Sequence, residues 1–546
     1  MIGDLPQFSE LDLLEMLRRG YDAHGQGKLD EAEQVYYRIL AQDPRHFDAL
    51  HLLGFLNFQR GQLVEALNFV EAALRVDKGC ATALLNRGLI VHAMGRFIEA
   101  LASYGDALAI EPNNVEMLNA RGIALLDLAR PHEALESFER ALAINGHYVE
   151  ALGNRGNAML KLNRPQDAIS NYDAALKLAP GHPQVLTNRA NALRRLDRPA
   201  EALLNVETAL ASRPDYAEAQ FEAGLAQLTL GYFQAGWKNY ESRWATGVFA
   251  PHRRDFVAPL WVGEQPICGK KILLHAEQGF GDTIQFVRYA PLVAERGARV
   301  FLEAQPELVR LLSQLRGVET VAAPGEPLPA FDLHCPLLSL PLAFDTTLET
   351  IPGDVPYIRP AAAEIIAFER RLPRKRPRIG LAWAGRRSHK NDLSRSVGLR
   401  TLLPLLRTSA VQFVSLQREL GAEDEYLLRD HPEMCRIGEK LRDFAETAAV
   451  ISLLDIVISV DTAVAHLAGA LGKPVLVLLP FAADFRWMRE RQDSPWYPTA
   501  RLFRQSSFDQ WDDVVAAVRG ELATRNFHAG GDGQGIYGSQ LQRTTL

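Results

Sequence analysis

One spacing constrains the fold of this chain more than any other feature of its sequence. A small residue returns every 34 positions through the first half of the chain, without a slip. These positions are Gly20, Gly54, Gly88, Gly122, Gly156, Ala190 and Gly224. A fixed period of this length is typical of stacked repeats, in which each unit buries its apolar face against its neighbours.

Two further positions keep the same period. The position twelve residues later is also small, and it is held by Ala32, Ala66, Ala100, Ala134, Ala168, Ala202 and Gly236. Four residues beyond it, an aromatic or apolar residue recurs as Tyr36, Val70, Tyr104, Phe138, Tyr172, Val206 and Tyr240. Small residues let paired helices approach closely, and the larger side chain fills the gap between them. The pattern resembles the tetratricopeptide repeat and predicts a helical solenoid of about seven repeats over residues 1–244, with a concave groove.

Asparagines recur on the surface predicted to line this groove. Asn86, Asn154 and Asn188 come two residues before the small position, and Asn157 and Asn191 come one residue after it. An amide both donates and accepts hydrogen bonds, so a row of asparagines suits the backbone of an extended peptide. Similar asparagines form such a ladder in the repeat arrays of protein O-linked sugar transferases, and the resemblance implies a peptide-binding groove. The alternative is that these side chains cap or solvate a helix face.

Composition excludes several classes of partner and site. The chain is 47% hydrophobic and 23% charged, with a formal net charge of −6, which gives no reason to expect binding to nucleic acid or to an acidic membrane. Cys80, Cys268, Cys335 and Cys435 are scattered without a CxxC pair, so neither a zinc site nor a disulfide framework is indicated. No apolar run is long enough to span a bilayer, and the N-terminus lacks the features of a signal peptide. We expect a soluble cytoplasmic protein of bacterial type.

The second half of the sequence changes to alternating strands and helices. Residues 245–268 lack periodicity and are interpreted as a packed connector. The strands expected after it are "KKILLHA" (270–276), "ARVFLEA" (298–304), "IGLAWAG" (379–385), "VQFVSLQ" (411–417), "DIVISV" (455–460) and "KPVLVLLP" (473–480). Helices are expected over 282–297 and 306–317. This order predicts two Rossmann-like halves with parallel sheets, over residues 269–370 and 371–526, and a disordered tail over 527–546.

Polar residues at predicted strand ends mark a candidate ligand site. In doubly wound folds, ligands bind at the carboxyl ends of the strands. Asp461 and Thr462 end the strand "DIVISV" and begin a helix whose N-terminus suits a diphosphate, and His466 follows one turn later. Ser415 and Gln417 end another strand. The alternative is that Asp461 is only a helix cap and His466 only a packing residue.

The first half contains a second such turn. "HAEQGFGDTIQF" (275–286) joins a strand to a helix through a glycine-rich turn that carries Asp282. Gly279 and Gly281 would let the backbone approach a substrate closely.

The motifs of the second half, taken together, resemble those of one enzyme family. "VDTAVAHLAGALGKPV" resembles the donor-site signature of the heptosyltransferase-like family 9 glycosyltransferases. "GLAWAGRRSHKNDLSRS", "FVSLQREL" and "DFRWMRERQDSPWYPTARLFRQ" are similar to bacterial members fused to tetratricopeptide repeats, a type connected with glycosylation of surface proteins such as flagellin. The resemblance implies a GT-B-type domain with the acceptor side in the first half and the nucleotide-sugar donor side in the second.

The resemblance also implies roles for individual residues. Asp282 corresponds to the family's proposed general base, and Asp461, Thr462 and His466 to its donor site. The helix N-terminus and the cations Lys390, Arg486 and Arg395 are then expected to stabilise the leaving diphosphate. No metal-binding motif is placed, so we expect an inverting transfer without a metal ion or any other cofactor.

Three functions remain open from the sequence. In the first, the repeats recruit a protein acceptor, for which flagellin is a candidate, and the second half transfers a sugar to Ser or Thr. In the second, the same chemistry acts on a lipopolysaccharide core or another glycan, and the repeats only localise the enzyme. In the third, the chain is a scaffold with a decayed transferase domain.

Overall fold

The computed structural model describes residues 9–374, 377–386, 392–408 and 411–525. It divides into two compact units. The first comprises the described residues up to Leu193 together with Ala211–Arg213, and the second comprises Arg194–Leu210 together with the described residues from Pro214 onward. The predicted tail, 527–546, lies outside the described residues.

The repeat region consists of paired helices whose starts recur at the predicted period. The first helices of successive pairs are α1 (Glu10–Gly25), α3 (Phe47–Gln59), α5 (Ala81–Ala93), α7 (Val115–Asp127), α9 (Val149–Lys161), α11 (Pro183–Arg195) and α13 (Ala217–Thr229). The second helices are α2 (Leu29–Gln42), α4 (Leu63–Val76), α6 (Phe97–Ile110), α8 (Pro131–Ile144), α10 (Pro165–Leu178), α12 (Pro199–Ser212) and α14 (Phe233–Tyr240). From α3 and α2 onward, each series advances by 34 residues. The predicted helical repeat is confirmed.

Close contacts within each pair explain why the lattice needs glycine. A methyl group built at Gly88 would lie 2.3 Å from the ring of Tyr104, and one at Gly122 would lie 2.4 Å from the ring of Phe138. These distances are far below van der Waals contact. Only a hydrogen fits at these two positions, and the ring sixteen residues later fills the space that it leaves, whereas Ala190 holds the same position where Val206 stands sixteen residues later.

The first α/β half contains a parallel sheet that is four-stranded within the described residues, in the order β3-β2-β1-β4. Its strands are β1 (Lys271–His275), β2 (Arg299–Glu303), β3 (Val318–Ala322) and β4 (Leu333–Pro336). In this register Leu273 pairs with Phe301 on one side and with His334 on the other. The apolar middle of β1 is therefore buried at the centre of the sheet.

The second half contains a parallel sheet of six described strands in the order β7-β6-β5-β8-β9-β10. Counted along the chain, this is the 3-2-1-4-5-6 order of a doubly wound dinucleotide-type fold. The strands are β5 (Arg378–Ala382), β6 (Gln412–Ser415), β7 (Cys435–Arg436), β8 (Ile456–Val460), β9 (Val475–Leu479) and β10 (Ala500–Arg504). The predicted fold class, a helical solenoid followed by two Rossmann-like halves, is confirmed.

Helices connect the strands of both sheets. They are α15 (Phe280–Phe286), α16 (Ala290–Glu295), α17 (Pro306–Leu312), α18 (Leu340–Ala343), α19 (Ala362–Glu369), α20 (Asp392–Arg395), α21 (Leu399–Leu406), α22 (Ala422–Arg429), α23 (Phe444–Ser452), α24 (Ala463–Ala470) and α25 (Asp512–Thr524). The single helix predicted over 282–297 is in fact α15 and α16, joined by a tighter 3-10 turn at Val287–Tyr289. Pro291 lies in the first turn of α16, where its missing N–H is tolerated. No helix of the described residues combines the length and apolarity needed to cross a bilayer.

The end of the repeat region lies in the core of the second unit. Trp237 and Tyr240 of α14 are 1% and 3% exposed. The ring of Trp237 makes edge contacts with Phe286 and Phe485, at centroid distances of 6.2 and 5.6 Å. The α/β region thus buries its apolar surface partly against residues that precede the predicted connector.

This packing predicts how the chain tolerates truncation. A fragment of residues 194–525 should fold and melt cooperatively, because it contains the whole second unit. A fragment of residues 250–525 should be destabilised by several kcal/mol, since removal of a buried tryptophan alone typically costs about 3–5 kcal/mol. Circular dichroism melts of the two fragments test this expectation, and equal melting temperatures would contradict it.

Candidate active site

Two loops from opposite halves of the α/β region meet at the carboxyl ends of their strands. Residues 277–282 join β1 to the first turn of α15, and Asp461 and Thr462 join β8 to α24. The helices α15 and α24 lie against each other where a methyl group built at Gly281 would be 2.8 Å from His466 Cδ2. The structure therefore brings the predicted loop residues Gly281 and Asp282 close to the predicted donor residue His466.

Asp282 is held by two hydrogen bonds. Its Oδ2 accepts from the backbone N–H of Gly279 at 2.9 Å, which caps the start of α15. Its Oδ1 accepts from Arg486 Nη2 at 2.5 Å. The carboxylate predicted to be the base and a cation predicted to bind the donor thus form an ion pair.

Arg486 lies between two carboxylates. It pairs with Asp484 at 2.7 Å as well as with Asp282, and its guanidinium stacks 4.5 Å from the Phe485 ring. Burial opposes the charge, but Asp484 and Asp282 raise the pKa of Arg486 above its usual value, so the group stays charged. Its buried Nε has no hydrogen-bond partner in the described structure, which leaves one donor for a ligand.

Asp461 and His466 lie together at the end of β8. His466 Nε2 is 3.6 Å from Asp461 Oδ1, and Arg395 Nη1 donates to the Asp461 carbonyl oxygen at 3.2 Å. Burial alone would raise the pKa of Asp461, but the hydrogen bond and charge of His466 and the charge of Arg395 lower it to about 2. Asp461 is therefore an anion at neutral pH.

Two aromatic residues that the sequence analysis did not single out orient His466. Its ring stacks on Trp487 with centroids 5.2 Å apart, and its Nδ1 is 3.0 Å from the Tyr497 hydroxyl. Burial raises the pKa of Tyr497 well above its usual value, so its hydroxyl stays protonated. The stacking and this contact hold the His466 ring in place, with Nε2 toward Asp461. Both aromatics lie in "DFRWMRERQDSPWYP", whose polar composition concealed them as site residues.

Thr462 occupies the N-cap position of α24, as predicted. Its hydroxyl does not cap the helix but lies 3.0 Å from the Ser459 hydroxyl. The first amides of a helix lack intrahelical acceptors, so this N-terminus still offers donors to an anion.

The strand end at Ser415 and Gln417 has a different arrangement. Ser415 is buried at the end of β6. The Gln417 side-chain oxygen accepts from the backbone N–H groups of Trp383 and Ala384 at 3.2 and 3.1 Å, and its nitrogen donates to the Ala384 carbonyl at 3.1 Å. Gln417 therefore orders the loop after β5, and contact with the donor stays a prediction. Lys390 lies outside the described residues.

No cluster of three or more His, Cys, Asp or Glu side chains is placed to hold a metal ion in the described parts of the chain. Metal independence stays a prediction.

Two of the predicted groove asparagines bond between neighbouring repeats of the first unit, and a third bonds within its own repeat. Asn154 Nδ2 donates to Asn119 Oδ1 at 3.0 Å, and Asn86 Nδ2 lies 2.7 Å from His51 Nε2. Asn157 accepts from the Tyr172 hydroxyl at 2.7 Å.

The contacts between neighbouring repeats join residues that are 35 positions apart. Asn188 and Asn191 are half-buried on α11. The side chains of consecutive first helices meet at a spacing of 35 residues, a step that relates Asn119 to Asn154 and His51 to Asn86. A search by the 34-residue period misses Asn119 for this reason. Peptide binding by the asparagines stays a prediction.

Models of known protein families match parts of both the repeat region and the α/β region. Residues 23–85, 119–183 and 187–236 match the tetratricopeptide repeat, and residues 429–487 match glycosyltransferase family 9 (heptosyltransferase). Protein FlbA of Caulobacter vibrioides is 27% identical over 343 residues, which cover 58% of this chain and 56% of FlbA. The chain thus spans about half the length of that relative.

Solved structures of tetratricopeptide repeat proteins are similar to part of this chain. A tetratricopeptide repeat protein from Parabacteroides merdae is 21% identical, covers 43% of this chain and 93% of its own, and has a TM-score of 0.39. A thermophilic TPR protein of Thermus thermophilus is 22% identical, with 33% and 98% coverage and a TM-score of 0.29. These scores are too low to carry a functional argument. From the sequence matches and the parallel sheets, the chain combines tetratricopeptide repeats with an α/β region in which residues 429–487 match glycosyltransferase family 9, the heptosyltransferase family.

Proposed function

We propose that this chain is a GT-B-type glycosyltransferase that moves a sugar from a nucleotide-sugar donor to Ser or Thr hydroxyls of a protein acceptor. The observation that supports this most is the approach of Gly281 to His466. It brings an acidic loop of one half to the helix N-terminus of the other, so that a donor and an acceptor hydroxyl can be held between them.

The donor binds at Asp461, Thr462 and His466. The α24 N-terminus, with His466 in its first turn, faces the diphosphate, and Arg395 and Arg486 neutralise its charge. Asp282, Asp484 and Asp461 outnumber these two described cations, so a diphosphate can bind only if one cation changes its partner. Arg486 is the group that can do so, because it already lies between the two loops.

Release of Arg486 to the donor sets up the transfer. Once Arg486 bonds to the diphosphate, the Asp282 Oδ1 that it held is free to accept a proton. Asp282 takes the proton of the acceptor hydroxyl as the acceptor oxygen bonds to the anomeric carbon. The bond from that carbon to the phosphate oxygen breaks, and the nucleotide leaves with the electron pair. The sugar is inverted, and no metal is needed in this scheme.

The acceptor is recruited by the repeat groove, and flagellin is the candidate acceptor. The experiment that tests the whole proposal is the intact mass of flagellin from cells with and without this chain. A mass difference of whole sugar units is expected, and its site should map to Ser or Thr. An unchanged flagellin mass would contradict this acceptor. The second candidate, a glycan acceptor, is favoured by the family description, which names heptosyltransferases. It predicts a change in the lipopolysaccharide core instead.

Asp282→Asn tests the base. The asparagine oxygen can still accept from Gly279, but it cannot take a proton, so transfer should fall by about 10²–10⁴-fold while donor binding persists. Asp484→Asn is the matched control, because it also removes one carboxylate from Arg486 and should reduce transfer far less. A transfer assay with UDP-, GDP-, ADP- and CMP-linked sugars measures both variants. Equal activity of Asp282→Asn and the parent chain would exclude Asp282 as the base.

His466→Ala tests the donor site. Loss of a hydrogen bond to a charged group typically costs about 1.5–3 kcal/mol, so donor affinity should fall by roughly tenfold or more. Calorimetry with UDP, GDP, ADP and CMP measures the effect on protein whose fold is verified by its melting curve. The control is His431→Ala, which changes a histidine whose Nδ1 lies 3.1 Å from Glu433 Oε1 and which is outside the proposed donor site, so this variant should bind normally. Unchanged affinity in His466→Ala would leave this histidine a packing residue.

The double variant Asn154→Ala, Asn188→Ala tests the groove. Each lost amide contact typically costs about 0.5–1.5 kcal/mol, so acceptor binding should weaken without a change in donor affinity. Asn68→Ala, at an exposed asparagine on α4, is the control. Binding of unmodified flagellin to the immobilised proteins gives the measurement, and equal affinity of both variants for flagellin would argue against an asparagine ladder.

A further inference from the structure

We propose that the last repeat is part of the catalytic apparatus, and that Tyr240 and Arg243 are positioning residues for the loop that carries Asp282. This inference rests on the proposed function of that loop. It assigns to the end of the solenoid a role beyond acceptor recruitment. Both residues belong to the second compact unit.

Arg243 fixes the start of the loop. It lies in the turn after α14, is fully buried, and donates from Nε and Nη2 to both carboxylate oxygens of Glu277 at 3.0 Å. Glu277 also accepts from the backbone N–H of Leu338 at 3.1 Å. A bidentate guanidinium–carboxylate pair fixes orientation as well as distance. The first residue of the loop is therefore anchored to the repeat.

Tyr240 fixes the next residue. Gln278 Nε2 donates to the Tyr240 hydroxyl at 3.0 Å, and the Gln278 carbonyl accepts from Gln305 Nε2 at 2.8 Å. Gly279 and Gly281 follow, and neither has a side chain to anchor the backbone. Because glycine has the greatest backbone freedom, the anchors at Glu277 and Gln278 add to the bonds of Asp282 itself in setting where α15 begins.

The repeat lattice does not require this hydroxyl. The same position is filled by Phe138 in one repeat and by Val70 in another, so helix packing needs an apolar side chain and no hydroxyl. The Tyr240 hydroxyl bonds to Gln278 of the α/β region, a contact that the packing of the repeat helices does not require.

The opposing loop is anchored in the same region. The Phe485 ring contacts Trp237, and Arg489 Nε donates to Asp197 Oδ1 at 2.9 Å. On either side of Arg489, Met488 has a φ of 55° and Glu490 a φ of 54°, conformations that cost energy and persist only where surrounding contacts impose them. Asp197, Trp237, Tyr240 and Arg243 thus hold both loops that carry Asp282 and Arg486.

Tyr240→Phe tests the proposal with a minimal change. It keeps the ring and removes the hydrogen bond to Gln278. We expect kcat for sugar transfer to fall about tenfold or more with little change in KM for the donor, because small displacements of a catalytic group are costly. Amide hydrogen exchange should become faster in residues 277–282. Tyr104→Phe removes a hydroxyl at the equivalent position of another repeat, and neither readout should change.

A double-mutant cycle with Gln278→Leu tests whether Tyr240 acts through Gln278. If it does, the double variant is no slower than Gln278→Leu alone. Additive losses, or a Tyr240→Phe protein that matches Tyr104→Phe in both kcat and exchange, would overturn the proposal. Should the parent chain transfer no sugar from UDP-, GDP-, ADP- or CMP-linked donors, the proposed function fails. In that case, amide hydrogen exchange by itself tests the positioning role. Faster exchange in residues 277–282 of Tyr240→Phe supports this role, and unchanged exchange refutes it.

Discussion

The contact between Gly281 and His466 is the constraint on which the rest of the site depends. Because Gly281 has no side chain, α15 of one half can lie against α24 of the other, and a methyl group there would meet His466 Cδ2 at 2.8 Å. This approach lets Arg486 reach across to Asp282. On another face of the same junction, buried Arg288 donates to the Trp496 carbonyl at 2.7 Å. A missing side chain and a buried cation together set the distance between the halves.

The junction and the donor side form one connected set of contacts. The guanidinium of Arg288 stacks 4.7 Å from the ring of Tyr497, and the Tyr497 hydroxyl is the partner of His466 Nδ1. Any movement of one half relative to the other must therefore disturb the hydrogen bond that orients the ring of His466. Asp461 is coupled to the same set through His466. In this way, the geometry that opposes the two loops also fixes the position of the His466 ring.

Much of the fold, and part of the site, could be predicted from the sequence for physical reasons. Long periodic segments and buried apolar strands leave strong signals, whereas the edge strand β3 alternates weakly and has two exposed residues in its centre. Candidate site residues could be identified at the strand ends, because parallel strands place their carboxyl ends at one edge of the sheet. The hydrogen-bond partners of these residues could not be identified, since Arg486 and Asp282 lie 204 residues apart. The sequence also does not show that the side-chain amide of Gln417 bonds to the backbone of Trp383 and Ala384.

The uniform period also concealed a change of role within the solenoid. Gly224 and Tyr240 continue the lattice, yet the helix that carries Tyr240 packs into the α/β core, and its aromatic-rich end, "GWKNYESRW", supplies the buried Trp237 and Arg243. A position in the repeat lattice predicts only that a side chain fits between two helices. It does not predict which residues the end of that side chain contacts. Because Glu277 is buried and bonds to Arg243, the end of the repeat region helps to place the loop after β1, and residues 214–244, which the sequence assigns to the repeats, belong to the same compact unit as the α/β region.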